Sequence, residues 1–109
     1  MKNLPDVIRK LIAHHDIWIC GSSAETFPLL TNNNLDIAVP FTEWSKVALL
    51  IPETATPTNL GGWRFHKGNV SIDIWPTSLE ELVSISSVKC LYSPKRGLRL
   101  NISHEPFLP

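Results

Sequence analysis

"NNNLDIAVP", Asn32–Pro40, is the stretch on which the reading of this chain turns. It carries one carboxylate, Asp36, inside a short apolar run that Pro40 ends. Side chains alternate along a strand, so Asn34, Asp36 and Ala38 share one face and Leu35, Ile37 and Val39 the other. The apolar face anchors the strand in a core. The polar face presents a carboxylate that is costly to bury without a partner. "VSIDIWP", Val70–Pro76, has the same design: Ser71, Asp73 and Trp75 alternate with Val70, Ile72 and Ile74. Two such acids on separate strands of 109 residues invite a divalent cation as their shared partner, and hard oxygen ligands suit Mg²⁺.

Around these two strands the punctuation is dense, with nine prolines, so the elements must be short. "LPDVIRKLIAHH" has helical spacing at Val7, Ile8, Leu11 and Ile12, with Pro5 and Asp6 suited to the first turn. "IWIC", Ile17–Cys20, is an apolar strand that stops at Gly21. "SSAETFPLL" opens with capping serines, and Pro28 limits or kinks the helix that follows. "FTEWSKVALLI" runs helically, with Thr42 as the expected cap, and "PETATPTNLGG" is a loop. "WRFHK", the Gly68–Asn69 turn and "VSIDIWP" form a hairpin. "TSLEELVSIS" is a helix capped by Ser78 or Thr77. "VKCLYS" and "LRLNI" make a second hairpin, and "SHEPFLP" an irregular tail. This order predicts one α/β (α+β) domain over residues 1–109: a mixed sheet with helices packed on one side.

Composition narrows the function. The hydrophobic fraction is 43%, enough for an ordinary core. The formal net charge is zero, which argues against tight, sequence-independent nucleic-acid binding through a broad basic face. No signal-peptide pattern or membrane-length apolar run is visible, so a cytoplasmic protein with no membrane partner is expected. Cys20 and Cys90 lack metal-ligand spacing and are expected to be unpaired, buried thiols.

Gly21 and Ser22 lie between an apolar strand and a helix start, where a tight turn and free backbone N–H groups favour an anion such as phosphate. Together, "ICGSSAETFPLLTNNNLDIAVP" and "NVSIDIWP" resemble the DNA polymerase beta-like nucleotidyltransferase superfamily. Its pattern is an apolar strand, a Gly-Ser step, about ten residues, an Asp-x-Asp strand and a third acid on a later strand. Gly21 and Ser22 match the step, Asn34 and Asp36 fall at Asp-x-Asp, and Asp73 matches the third acid. "GGW" at Gly61–Trp63 is also similar to members with Gly-Gly before that strand. The resemblance covers roughly Ile17 to Pro76 and is closest to the minimal members.

The resemblance implies two Mg²⁺ ions held at Asn34, Asp36 and Asp73, with Asp36 and Asp73 catalytic and phosphates held by Gly21 and Ser22. It implies transfer of a nucleoside monophosphate from a nucleoside triphosphate to a hydroxyl on a protein, RNA or small molecule. Asn34 departs from the pattern: an amide oxygen coordinates more weakly than a carboxylate and carries no charge. The expectation is therefore a metal site that has lost one acid, in a slow enzyme or in an inactive binding or regulatory protein such as an antitoxin, inhibitor or assembly subunit. The chain's small size implies a homodimer or a partner chain to complete the site. Arg64, His66 and Lys67 are candidate triphosphate contacts, since Arg and Lys suit phosphate. Lys95, Arg96 and Arg99 read as a charged turn, with RNA or phosphate contact as the alternative.

Overall fold

The computed structural model describes residues 4–30 and 32–103, so the tail from residue 104 onward lies outside the described residues. Among the described residues, four short α-helices and one 3-10 turn (Ala48–Leu50) flank a seven-stranded sheet. The helices are α1 (Asp6–His14), α2 (Ser22–Thr26), α3 (Phe41–Val47) and α4 (Leu79–Ser84). The strands are β1 (Trp18–Cys20), β2 (Asn34–Pro40), β3 (Thr56–Pro57), β4 (Trp63–Lys67), β5 (Val70–Thr77), β6 (Cys90–Ser93) and β7 (Leu98–Asn101). Their spatial order is β3-β4-β5-β2-β1-β6-β7. β2 and β5 run parallel at the centre, and every other pairing is antiparallel.

The predicted alternation holds on both central strands. Leu35, Ile37 and Val39 of β2 and Ile72 and Ile74 of β5 are sealed from solvent and form the main core with Ile8, Leu11, Ile19, Val47 and Phe65. Each such side chain contributes roughly 1.5–3 kcal/mol by burial. α1, α2 and α3 supply the helical side of this core through Ile8 and Leu11, Ala24 and Val47. α4 belongs to a second cluster: its Leu82 packs with Cys20, Ala38, Trp75 and Leu91. Those residues share the face of Asp36 and Asp73, so α4 covers part of the sheet's opposite side.

Local chemistry explains most element ends. Pro5 accepts bonds from Ile8 and Arg9 through its carbonyl, and Asp6 sits in the first turn of α1. Ser78 caps α4 by accepting the Glu81 N–H at 3.1 Å. The expectation for Thr42 is corrected: α3 begins at Phe41, Pro40 is its N-cap, and no side chain caps it. The extended φ and ψ of Pro40 let the helix start directly from the strand end. The stretch read as a loop also contains β3, which pairs with β4.

The second hairpin is tied down by its arginines. Arg96 donates to both oxygens of Asp16, 80 residues away, at 2.7 and 2.9 Å, and lies over the Trp18 ring. Arg99 donates to the carbonyls of Ala24 and Phe27 at 2.8 and 2.7 Å, filling acceptors that the end of α2 leaves open. Both side chains thus hold the fold together. Cys20 and Cys90 are free and buried on opposite sheet faces. No helix among the described residues is long and apolar enough to cross a membrane.

Gly62 is a packing requirement. A Cβ there would lie 2.0 Å from the Ile74 carbonyl oxygen and 2.6 Å from Trp75 Cα, both backbone atoms of β5 that cannot yield cheaply. Gly62→Ala should therefore lower stability by about 3 kcal/mol. Urea unfolding should show a lower midpoint with an unchanged slope. A midpoint equal to wild type would contradict this close approach of backbones.

Candidate functional site

The site follows from strand register. In the parallel pair, Asp36 stands beside Asp73 and Asn34 beside Ser71. In the hairpin, Arg64 stands beside Asp73 and His66 beside Ser71. On the other flank Cys20 stands beside Asp36. One row across the sheet is thus Cys20, Asp36, Asp73, Arg64, and the row before it is Asn34, Ser71, His66. Neighbouring strands are about 4.8 Å apart, so the two acids are held as close as sheet geometry allows. Asn34, Asp36, Arg64, His66, Ser71 and Asp73 line a cleft of about 450 Å³.

Electrostatics in the cleft are dominated by these two acids. Burial, and next the Asp73 carboxylate, push the Asp36 carboxyl above its ordinary value of 3.8, while Arg64 opposes this more weakly. Arg64 grips Asp73 with both ends of its fork: Nε donates to Oδ1 at 2.6 Å and Nη2 to Oδ2 at 2.9 Å. Cys20 is no candidate nucleophile, because burial and the adjacent Asp36 hold its thiol far above its usual range.

The Gly-Ser step adjoins the acids. Gly21 precedes α2 with φ 70° and ψ −149°, a conformation open almost only to glycine, and a Cβ there would lie 3.5 Å from Asp36 Oδ2. The Ser22 hydroxyl accepts from the Asn32 side-chain amide at 2.9 Å. The Ser23 hydroxyl donates to the Asn34 carbonyl at 2.5 Å and fixes the start of β2 against α2. Gly21, Asn34, Asp36, Asp73 and Arg64 are therefore brought together, with Ser22 beside the turn. Lys67 is not: it shares the Phe65 face of β4 and lines a separate groove with Pro5, Asp6 and Asn33. His66, a candidate alongside Arg64 and Lys67, does line the acid cleft.

Among the described residues no three His, Cys, Asp or Glu side chains cluster as a metal site. The donors present are mostly oxygens, from two carboxylates, the Asn34 amide and the Ser71 hydroxyl, with the His66 imidazole as the one nitrogen ligand type in the lining. Such a set fits one hard cation of the Mg²⁺ type, which is commonly held by one or two carboxylates with water and phosphate completing the shell. It lacks the negative charge to balance two.

Two solved structures share this architecture. A CCA-adding enzyme in complex with ATP superposes with a TM-score of 0.59 at 16% identity, over 90% of this chain and 30% of that one. A CCA-adding enzyme in complex with CTP gives 0.56 at 18% identity, over 92% of this chain and 31% of that one. The chain thus shares the fold of the matching part of these enzymes and spans about 30% of their length. No protein-family profile and no curated protein matches the sequence.

The raised Asp36 carboxyl carries a stability consequence with a definite sign. A carboxyl whose folded pKa lies above its unfolded one favours folding most when protonated, and that contribution is lost as pH rises through the folded value. Asp36→Asn should therefore raise Tm at pH 7 by a few degrees. The advantage should shrink as pH falls toward 3.8, measured by thermal unfolding across buffers. A lower Tm at pH 7 would mean that Asp36 is a structural acid.

Proposed function

We propose that this chain is a Mg²⁺-dependent nucleotidyltransferase domain that binds a nucleoside triphosphate in the Asp36–Asp73 cleft and passes its nucleoside monophosphate to a hydroxyl. The observation that supports this best is the pairing of two acids, side by side on adjacent strands, with a glycine turn against one of them. Structure alone has little reason to set two carboxylates together, since like charges at this spacing destabilise the fold. The bound nucleotides of the two CCA-adding enzyme complexes agree with a triphosphate as ligand.

Asp36 would be the chief seat of the cation, with Asp73 beside it and the Asn34 amide oxygen as a weaker third donor. Mg²⁺ supplies charge neutralisation for the triphosphate and for the departing pyrophosphate. Gly21, by lacking a side chain, leaves room for phosphate oxygens beside Asp36, and Ser22 adds a hydroxyl at the same turn. Arg64 contributes positive charge toward the phosphates. The acceptor oxygen attacks the α-phosphorus, the bond to pyrophosphate breaks, and Asp73 is the acid assigned to the acceptor's proton.

A second reading has its own support. Asn34 stands where the resemblance places an acid, and Arg64 occupies both oxygens of Asp73. These features favour a domain that binds nucleotide without turning it over, as part of a regulatory or assembly protein. Transfer of a labelled nucleoside monophosphate separates the two.

Asn34→Asp would add a third acid facing the same side of β2. Calorimetric titration with Mg²⁺ and each nucleoside triphosphate should show binding tightened about tenfold or more, since an added charge-assisted ligand contributes on the order of 1–3 kcal/mol. Asp36→Ala should abolish metal-dependent binding in either background. If a folded Asn34→Asp protein binds as wild type does, the likeness is one of fold alone.

A further inference from the structure

The Arg64–Asp73 pair goes beyond a phosphate contact. Arg64 comes from β4, opposite Asp73 in the hairpin, and its fork closes on both carboxylate oxygens at hydrogen-bond distance. Its side chain is 54% exposed and Asp73's 26%, so the pair sits at the mouth of the cleft rather than in the core. The pair offsets part of the repulsion between the two acids from an exposed position on the sheet surface. A guanidinium is a permanent cation, and bidentate contact places it where a metal ion on Asp73 would otherwise lie.

We infer that Arg64 is a resident cation of the cleft, which holds Asp73 and limits the site to one divalent ion, seated chiefly on Asp36. This rests on the proposed metal–nucleotide reading of the cleft and assigns a charge role within it. Two carboxylates against one guanidinium leave one net negative charge among the Asp and Arg side chains of the cleft. One divalent ion converts this to a single positive charge, suited to a polyphosphate. A second ion would leave three positive charges with no further acid to balance them. Arg64 therefore does by covalent attachment what a second ion would do by binding, in a site where Asn34 has no charge to give.

The test is a double-mutant cycle read by Mn²⁺ binding, followed by electron paramagnetic resonance of free Mn²⁺ without nucleotide. Wild-type protein should bind one Mn²⁺ per chain. Arg64→Gln should free Asp73 and tighten Mn²⁺ binding about tenfold or more, the usual scale for removing a unit charge at contact distance. Arg64→Lys, which keeps the charge, should stay close to wild type. In an Asp73→Asn background, Arg64→Gln should lose most of that gain. Circular dichroism checks that each variant is folded, and the exposed position of Arg64 favours this.

Equal Mn²⁺ affinity in wild type and Arg64→Gln overturns the inference while leaving the cleft a metal site. An equal gain with and without Asp73 also overturns it, because Arg64 would then act only as a remote charge. No Mn²⁺ bound by any folded variant overturns both the inference and the metal reading beneath it.

Discussion

Two carboxylates held side by side are the constraint around which the rest of this molecule is arranged. Asp36 and Asp73 are fixed by the backbone of a parallel strand pair and cannot move apart without breaking the central ladder. The repulsion is met in three ways: both acids stay partly exposed, Arg64 neutralises one of them, and the other is pushed toward its protonated form. None of these removes the cost. The fold tolerates it because the opposite face of the same two strands buries five sealed aliphatic side chains, Leu35, Ile37, Val39, Ile72 and Ile74.

The same strands therefore do two opposed jobs, separated only by side-chain parity. Even positions of β2 and odd positions of β5 carry the polar cleft; their neighbours carry the core. The division is not uniform along the strands. Toward Ala38 and Trp75 the polar face becomes apolar and is closed by Leu82 of α4, while toward Asn34 and Ser71 it stays open. The cleft thus has a dry end and a wet end, and the acids lie at the boundary between them.

Much of this was legible in the sequence. The alternation around Asp36 and Asp73 gave both faces correctly, and the capping residue Ser78 and the Gly68–Asn69 turn marked their elements. The parity of the hairpin was legible too, though it takes one more step. A two-residue turn pairs Lys67 with Val70, which puts Arg64 opposite Asp73 and sends Lys67 to the other face. Charge suggested grouping Arg64, His66 and Lys67; the pleat keeps Arg64 and His66 on one face and sends Lys67 to the other. What could not be read was long-range. No local pattern says that β2 and β5 pair in parallel, that Arg96 reaches back to Asp16, or that Arg99 closes the end of α2. Thr42 had the right chemistry for a cap and was displaced because the chain enters α3 straight from a strand through Pro40.

The parallel pairing has a further consequence, for folding rather than chemistry. Asp36 and Asp73 are thirty-seven residues apart in the chain, and parallel strands can meet only after the intervening segment has been closed into a crossover. Their repulsion is therefore largely absent from the unfolded chain and is a cost of the native state. Closure entropy rises slowly with length, by about 0.6 kcal/mol for each doubling, so it is the packed elements within the crossover, α3 and β4, rather than its length that constrain it. Register has no such latitude: a slip of one residue would turn one of the two acids into the core and dismantle the cleft in a single step.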